Sequence, residues 1–131
     1  MIQWMSLDHV KYYVMDLEKV ADFYVNKLGF QIIKSSPEWR MVVGGGVTID
    51  LETPADLNKM EDEKAASPQG RHGHKPGHTH TAFRVADVEK SYEELKSKGV
   101  EFFMKPFTNQ NSKRTIAFFT DPEGNVLHIT D

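Results

Sequence analysis

The sequence predicts an α+β fold of two tandem β-α-β-β-β modules, and three observations predict it. The first is an internal repeat. His9 opens H-V-K-Y-Y-V-M-D-L-E-K, and 71 residues later His80 opens H-T-A-F-R-V-A-D-V-E-K. The two runs share the histidine, an aromatic (Tyr12, Phe83), a valine (Val14, Val85) and an Asp-x-Glu-Lys ending. A self-similarity of this length fixes architecture before any local reading does. The second observation is that strand-like alternation gives way to helical spacing and returns to alternation in each half. The third is a charged, apolar-poor stretch with three prolines, residues 54–77, that separates the halves. Loops of this length in compact domains are usually functional or mobile.

The elements follow in order. Residues 7–15 alternate as a strand, with Val10, Tyr12 and Val14 on one parity and His9, Lys11 and Tyr13 on the other. Asp16 is a helix N-cap. Behind it Leu17, Val20, Ala21, Tyr24 and Leu28 recur at helical spacing, and Gly29 closes the helix. Strands are expected at 30–34, 39–43 and 47–52. The second half repeats the plan: a strand at 79–85, a helix capped by Asp87 and closed by Gly99, then strands at 100–104, 114–120 and 125–130. Asp121-Pro122-Glu123-Gly124-Asn125 is a turn, because proline presets φ and glycine tolerates positive φ.

The whole chain of 131 residues is expected to be one domain: module one at 5–53, the connection at 54–77, module two at 78–131. An apolar fraction of 39% with 27% charged residues is that of a globular protein. A net charge of −3 gives no electrostatic basis for nucleic-acid binding. No apolar run approaches a membrane span, and the N-terminal residues lack a signal-peptide pattern. A cytoplasmic location is the expectation. The absence of cysteine removes disulfides, thiolate catalysis and sulfur-ligated metals together.

In each module one strand parity is apolar and packs on its helix, which leaves the other parity on the opposite face. There fall His9, Lys11 and Tyr13; Thr48, Asp50 and Glu52; His78, His80, Ala82 and Arg84; and Val126, His128 and Thr130. A lone strand histidine is ordinarily a hydrogen-bonded structural residue. His9 and His80 at equivalent repeat positions, joined by His128, point instead to metal ligation, with Asp50 or Glu52 supplying a carboxylate. Imidazole with carboxylate suits zinc, nickel, iron, manganese or cobalt. His72, His74 and His78 lie in a Gly/Pro-rich loop, where solvation is the simpler account. Lys11 and Arg84 on the inward face would favour an anionic substrate, and Phe118 would form an aromatic wall.

These residues resemble the vicinal oxygen chelate superfamily, which includes glyoxalase I, methylmalonyl-CoA epimerase, extradiol ring-cleaving dioxygenases and fosfomycin or bleomycin resistance proteins. The marks are L-D-H-V near the start, D-F-Y-x-N-K-L-G-F in the first helix, H-T-A-F-R-V opening the second module and F-F-T-D-P-E-G-N-V-L-H at the end. The resemblance implies an incomplete mixed barrel around one divalent metal, with ligands from the first and fourth strands of each module. Carried over, those are His9, Asp50 or Glu52, His80 and His128. His128 departs from the pattern, since glutamate is typical there and doubles as a proton-transfer group. Phe118 stands where extradiol enzymes carry a tyrosine, which argues against standard ring cleavage.

The resemblance thus implies a lyase or isomerase like glyoxalase I, acting on a small oxygenated, anionic substrate. Glu52 or His128 would be the base, Lys11 and Arg84 would hold the anionic group, and Tyr13 would donate to a developing oxyanion. A non-heme iron dioxygenase and a drug-binding resistance protein are the alternatives. A homodimer is expected, because family members pair modules within or between chains.

Overall fold

The computed structural model describes residues 1–53 and 80–131. The chain divides into two compact units, Met1–Ala55 and Asp56–Asp131. The expected connection at 54–77 and the histidines at 72, 74 and 78 lie outside the described residues.

Unit one runs β1 (Val10–Tyr13), α1 (Leu17–Asp22), β2 (Gln31–Ser36), β3 (Trp39–Gly44) and β4 (Val47–Glu52). Asp16 caps α1, its carboxylate accepting from the Lys19 amide at 3.1 Å. Over Phe23–Lys27 the helix continues as a π turn, and it ends at Gly29 with φ of +78°. The strands form one sheet in the order β1-β4-β3-β2, parallel between β1 and β4 and antiparallel elsewhere. The helix packs on β3 and β4. Val14, Val20, Tyr24, Val42, Ile49 and Leu51 have no exposed surface and form the core. Gly44 makes that packing feasible: a Cβ there would lie 2.5 Å from the Phe30 ring, which packs edge-on against Tyr24.

Unit two repeats the topology. It contains β5 (Thr81–Arg84), α2 (Val88–Ser97), β6 (Phe107–Thr108), β7 (Thr115–Thr120) and β8 (Val126–Thr130). The sheet order is β5-β8-β7-β6, again parallel only between the first and last strands. Asp87 caps α2 through the Lys90 amide at 3.0 Å, and the helix packs on β7 and β8. Its core includes Val88, Tyr92, Val100, Ala117, Phe119 and Leu127. The two four-stranded mixed sheets are unclosed, in keeping with the glyoxalase-like α+β class. No helix among the described residues is long and apolar enough to cross a membrane.

The sequence reading misplaces one strand. Residues 100–104 make only an isolated bridge, Phe102 to Phe119, and the strand proper is Phe107–Thr108. Alternation persists in the segment without a ladder. Phe102 turns inward onto Tyr92 and Phe119, while Phe103 turns to Phe118 on the opposite face. Pro106, which has no amide hydrogen to donate, separates this bridge from β6. Thr130 is buried at 7% exposure, with Ile116 as its cross-strand neighbour.

Candidate functional site

The registers settle how the two units correspond. In unit one, Lys11 stands opposite Asp50, and His9 lies two residues before Lys11. In unit two, Ala82 stands opposite His128, and His80 lies two residues before Ala82. Asp50 and His128 therefore occupy equivalent positions, as do Glu52 and Thr130. The sheet places the first pair of candidates beside the repeated histidines and the second pair one step further along.

In unit one, His9 Nδ1 is hydrogen-bonded to the Asp8 carboxylate at 2.7 Å, and Nε2 lies 3.8 Å from Asp50 Oδ2. The hydrogen bond with Asp8, and then the Asp50 charge, raise the His9 imidazole above its ordinary value. Asp50 Oδ1 is buried without a hydrogen-bond partner. Glu52 is committed elsewhere: its Oε2 accepts from Lys11 Nζ at 2.6 Å, which raises the Lys11 ammonium above its usual range. The same ammonium lies 5.1 Å from the centroid of the half-buried Tyr13 ring.

In unit two, the His80 and His128 rings lie 4.6 Å apart between centroids. Phe118, directly opposite His128 in register, meets His128 edge-on at 4.8 Å and His80 at 5.6 Å. Phe118 therefore packs against both imidazoles. Burial, and then the nearby His80, push the His128 imidazole down to about 4, so it is neutral near pH 7. His128 Nδ1 is buried without a hydrogen-bond partner. Arg84 is exposed on β5.

Each unit thus holds two candidate ligands, one of them with an orphaned buried atom. Buried polar atoms are nearly always partnered, and leaving one unmade costs on the order of 1–3 kcal/mol. A divalent cation is a partner that satisfies both a carboxylate oxygen and a neutral imidazole nitrogen. The donor set fits a metal in chemistry. Among the described residues no three His, Asp or Glu side chains converge into a complete cage. An open cleft of about 530 Å³ beside the start of α1, lined by residues 15–18, 37–38 and 53, contains none of the candidates.

Asp8 escaped the sequence reading, although its signal was a carboxylate immediately before the repeated histidine. A ligand histidine commonly hydrogen-bonds a carboxylate through its other nitrogen, which fixes ring orientation and tautomer. Phe103 was also missed, hidden in a run read as an ordinary strand.

The Glyoxalase/Bleomycin resistance protein/Dioxygenase superfamily model matches residues 6–129. The chain belongs to that superfamily. Its members generally use a divalent metal, bind small molecules and often form dimers. The relatives in this superfamily include YurT of Bacillus subtilis, 32% identical over 89% of this chain and 91% of its own. Metallothiol transferase FosB of Staphylococcus saprophyticus is 28% identical over 95% of this chain and 75% of its own. Lactoylglutathione lyase of Neisseria meningitidis is 30% identical over 95% and 89%. The glyoxalase family protein from Enterococcus faecalis superposes with a TM-score of 0.77 at 19% identity, covering 96% and 97%, which establishes the shared fold.

Proposed function

We propose that this superfamily member is a metal-dependent lyase or isomerase that moves a proton next to vicinal oxygens of a small substrate. The observation that carries the reading is the matched pair of orphaned atoms. Asp50 Oδ1 and His128 Nδ1 are buried and unpartnered at equivalent strand positions, each in a unit that also holds a repeated histidine. His9, Asp50, His80 and His128 would hold one divalent ion, of zinc, nickel, iron, manganese or cobalt. Asp50 is preferred to Glu52 as the carboxylate ligand, because Lys11 already occupies Glu52.

When bound, such an ion acts as a Lewis acid on substrate oxygens. Glu52 is then available as the proton-transfer base, held in position by the Lys11 ammonium. Tyr13 and Lys11 on the same strand supply a hydroxyl and a charge for an anionic group. His128, neutral at pH 7, is in its ligating form. Phe118 contributes apolar shielding. Exposed Trp4, Met5 and Leu7 near the N-terminus, and Ile32 and Ile33 on edge strand β2, support a homodimer, which light scattering after gel filtration tests.

The test is hydrogen–deuterium exchange at carbon next to the carbonyl of α-hydroxyketones and α-ketoaldehydes, followed by NMR in D₂O on metal-loaded protein. Glu52→Gln should lose most of the exchange, on the order of a hundredfold, and keep its metal. Oxygen consumption without exchange would replace this reading with an iron dioxygenase. Unchanged exchange in Glu52→Gln would remove Glu52 as the base.

A further inference from the structure

Phe118 stands at the centre of an aromatic group in unit two. Its ring is stacked at 28° on Phe103, with centroids 5.7 Å apart, and at 21° on Phe107, at 6.4 Å. Its edge contacts go to His80 and His128 at 86° and 83°. Two near-parallel rings and two imidazoles therefore share one central ring. The outer part of this group is open, with Phe103 55% exposed. A single exposed aromatic is unremarked on a protein surface. Three stacked rings continuous with a pair of imidazoles form a directional apolar surface, and offset stacking at about 4.5–7 Å is the geometry in which a further ring joins such a group.

We propose that Phe103, Phe107 and Phe118 form a stacking ledge for the flat body of the substrate, whose vicinal oxygens reach the His80–His128 end. The substrate class is then an aryl-substituted oxygen chelator, such as an aryl α-hydroxy acid or ketone, rather than a short aliphatic one. This rests on the metal-dependent reading above and specifies its substrate. Phe103 and Phe107 set specificity through contact with the substrate's ring and take no part in proton transfer.

The probes are mandelate and lactate. Both carry the same α-hydroxycarboxylate head, and they differ only in phenyl against methyl. Each is titrated into metal-loaded protein with labelled phenylalanine rings. Mandelate should bind about tenfold tighter, the sum of a stacking contact and the added apolar area. It should also move the Phe103 ring resonances by ring current, which lactate should not. Phe103→Ala, a change at an exposed position, should keep metal content and lactate affinity and bring the preference to within about twofold. Equal affinities in wild type, or a preference that survives Phe103→Ala combined with Phe107→Ala, would overturn the ledge. A protein that takes up no metal would sink the functional reading instead. The ledge is then judged on the metal-free protein, where unmoved Phe103 ring resonances at saturating mandelate overturn it, including the case in which a second copy covers these rings.

Discussion

Around His9 and Asp50 the first unit is charged, with His9 open to water: Asp8 holds the Nδ1 edge of the imidazole, and the Lys11–Glu52 ion pair lies one step along the same strands. Around His80 and His128 the second unit is aromatic and drier, with Phe118 in place of ions and Ala82 where the first unit has Lys11. The topology, the helix caps and the position of the leading histidine are common to both. The duplication has therefore kept the scaffold and the leading histidine while the surroundings diverged. One half offers a carboxylate and a raised imidazole, the other two imidazoles, one of them held neutral by burial.

The comparison breaks first at the cores. Ile49 and Leu127 occupy equivalent positions, one residue before Asp50 and His128, and neither has exposed surface. Ile49→Ala and Leu127→Ala should each cost about 2–5 kcal/mol in urea unfolding. A cost below about 1 kcal/mol in either would mean that the two sheets do not carry equal cores.

Acid sharpens it next. His128 is neutral when folded and titrates near 4, against 6.5 in the unfolded chain. Its contribution to stability is whole above pH 6.5 and is lost as pH falls toward 4, because the unfolded state takes up the proton first. His9 has the opposite sign. Its folded value is raised, so its contribution is whole below 6.5 and fades as pH rises through the raised value. His9 lies at the surface, and its slope should be the smaller. Urea midpoints of the metal-free protein across acid pH should show a shallower slope in His128→Phe; an unchanged slope would count against the buried neutral imidazole.

Smaller effects test the shared features. Asp16→Ala and Asp87→Ala should each cost about 1 kcal/mol in thermal melts, because both carboxylates accept from the amide three residues on. Unequal costs would show that the two caps have diverged as the sites have. The Lys11–Glu52 pair should contribute only about 0.2–1 kcal/mol in a double-mutant cycle, less in high salt, since both side chains are partly exposed. A coupling well above that range would assign the pair a structural role in place of a catalytic one.

Much of this was legible in the residues. The repeat announced the duplicated topology, and β4 falls where the alternation from Val47 to Glu52 puts it. Asp16, Asp87, Gly29 and Gly99 marked helix ends because capping and positive φ are local chemistry. The choice between Asp50 and Glu52 was not legible, since both share a parity. Strand register and the reach of Lys11 support Asp50 as the proposed ligand, and neither is written in local spacing. The 100–104 segment misled for a related reason: its alternation is real, but aromatic packing rather than a hydrogen-bonded ladder exploits it. Phe103 acquires meaning only from its stacking on Phe118.

The most direct test of the central claim is metal content by plasma mass spectrometry on untagged wild-type protein beside Asp50→Ala and His128→Ala. One equivalent of a divalent metal in wild type, lost from both variants while their folds persist by circular dichroism, is the predicted result. A wild type that binds no metal after reconstitution, or an equivalent retained in either variant, would contradict it.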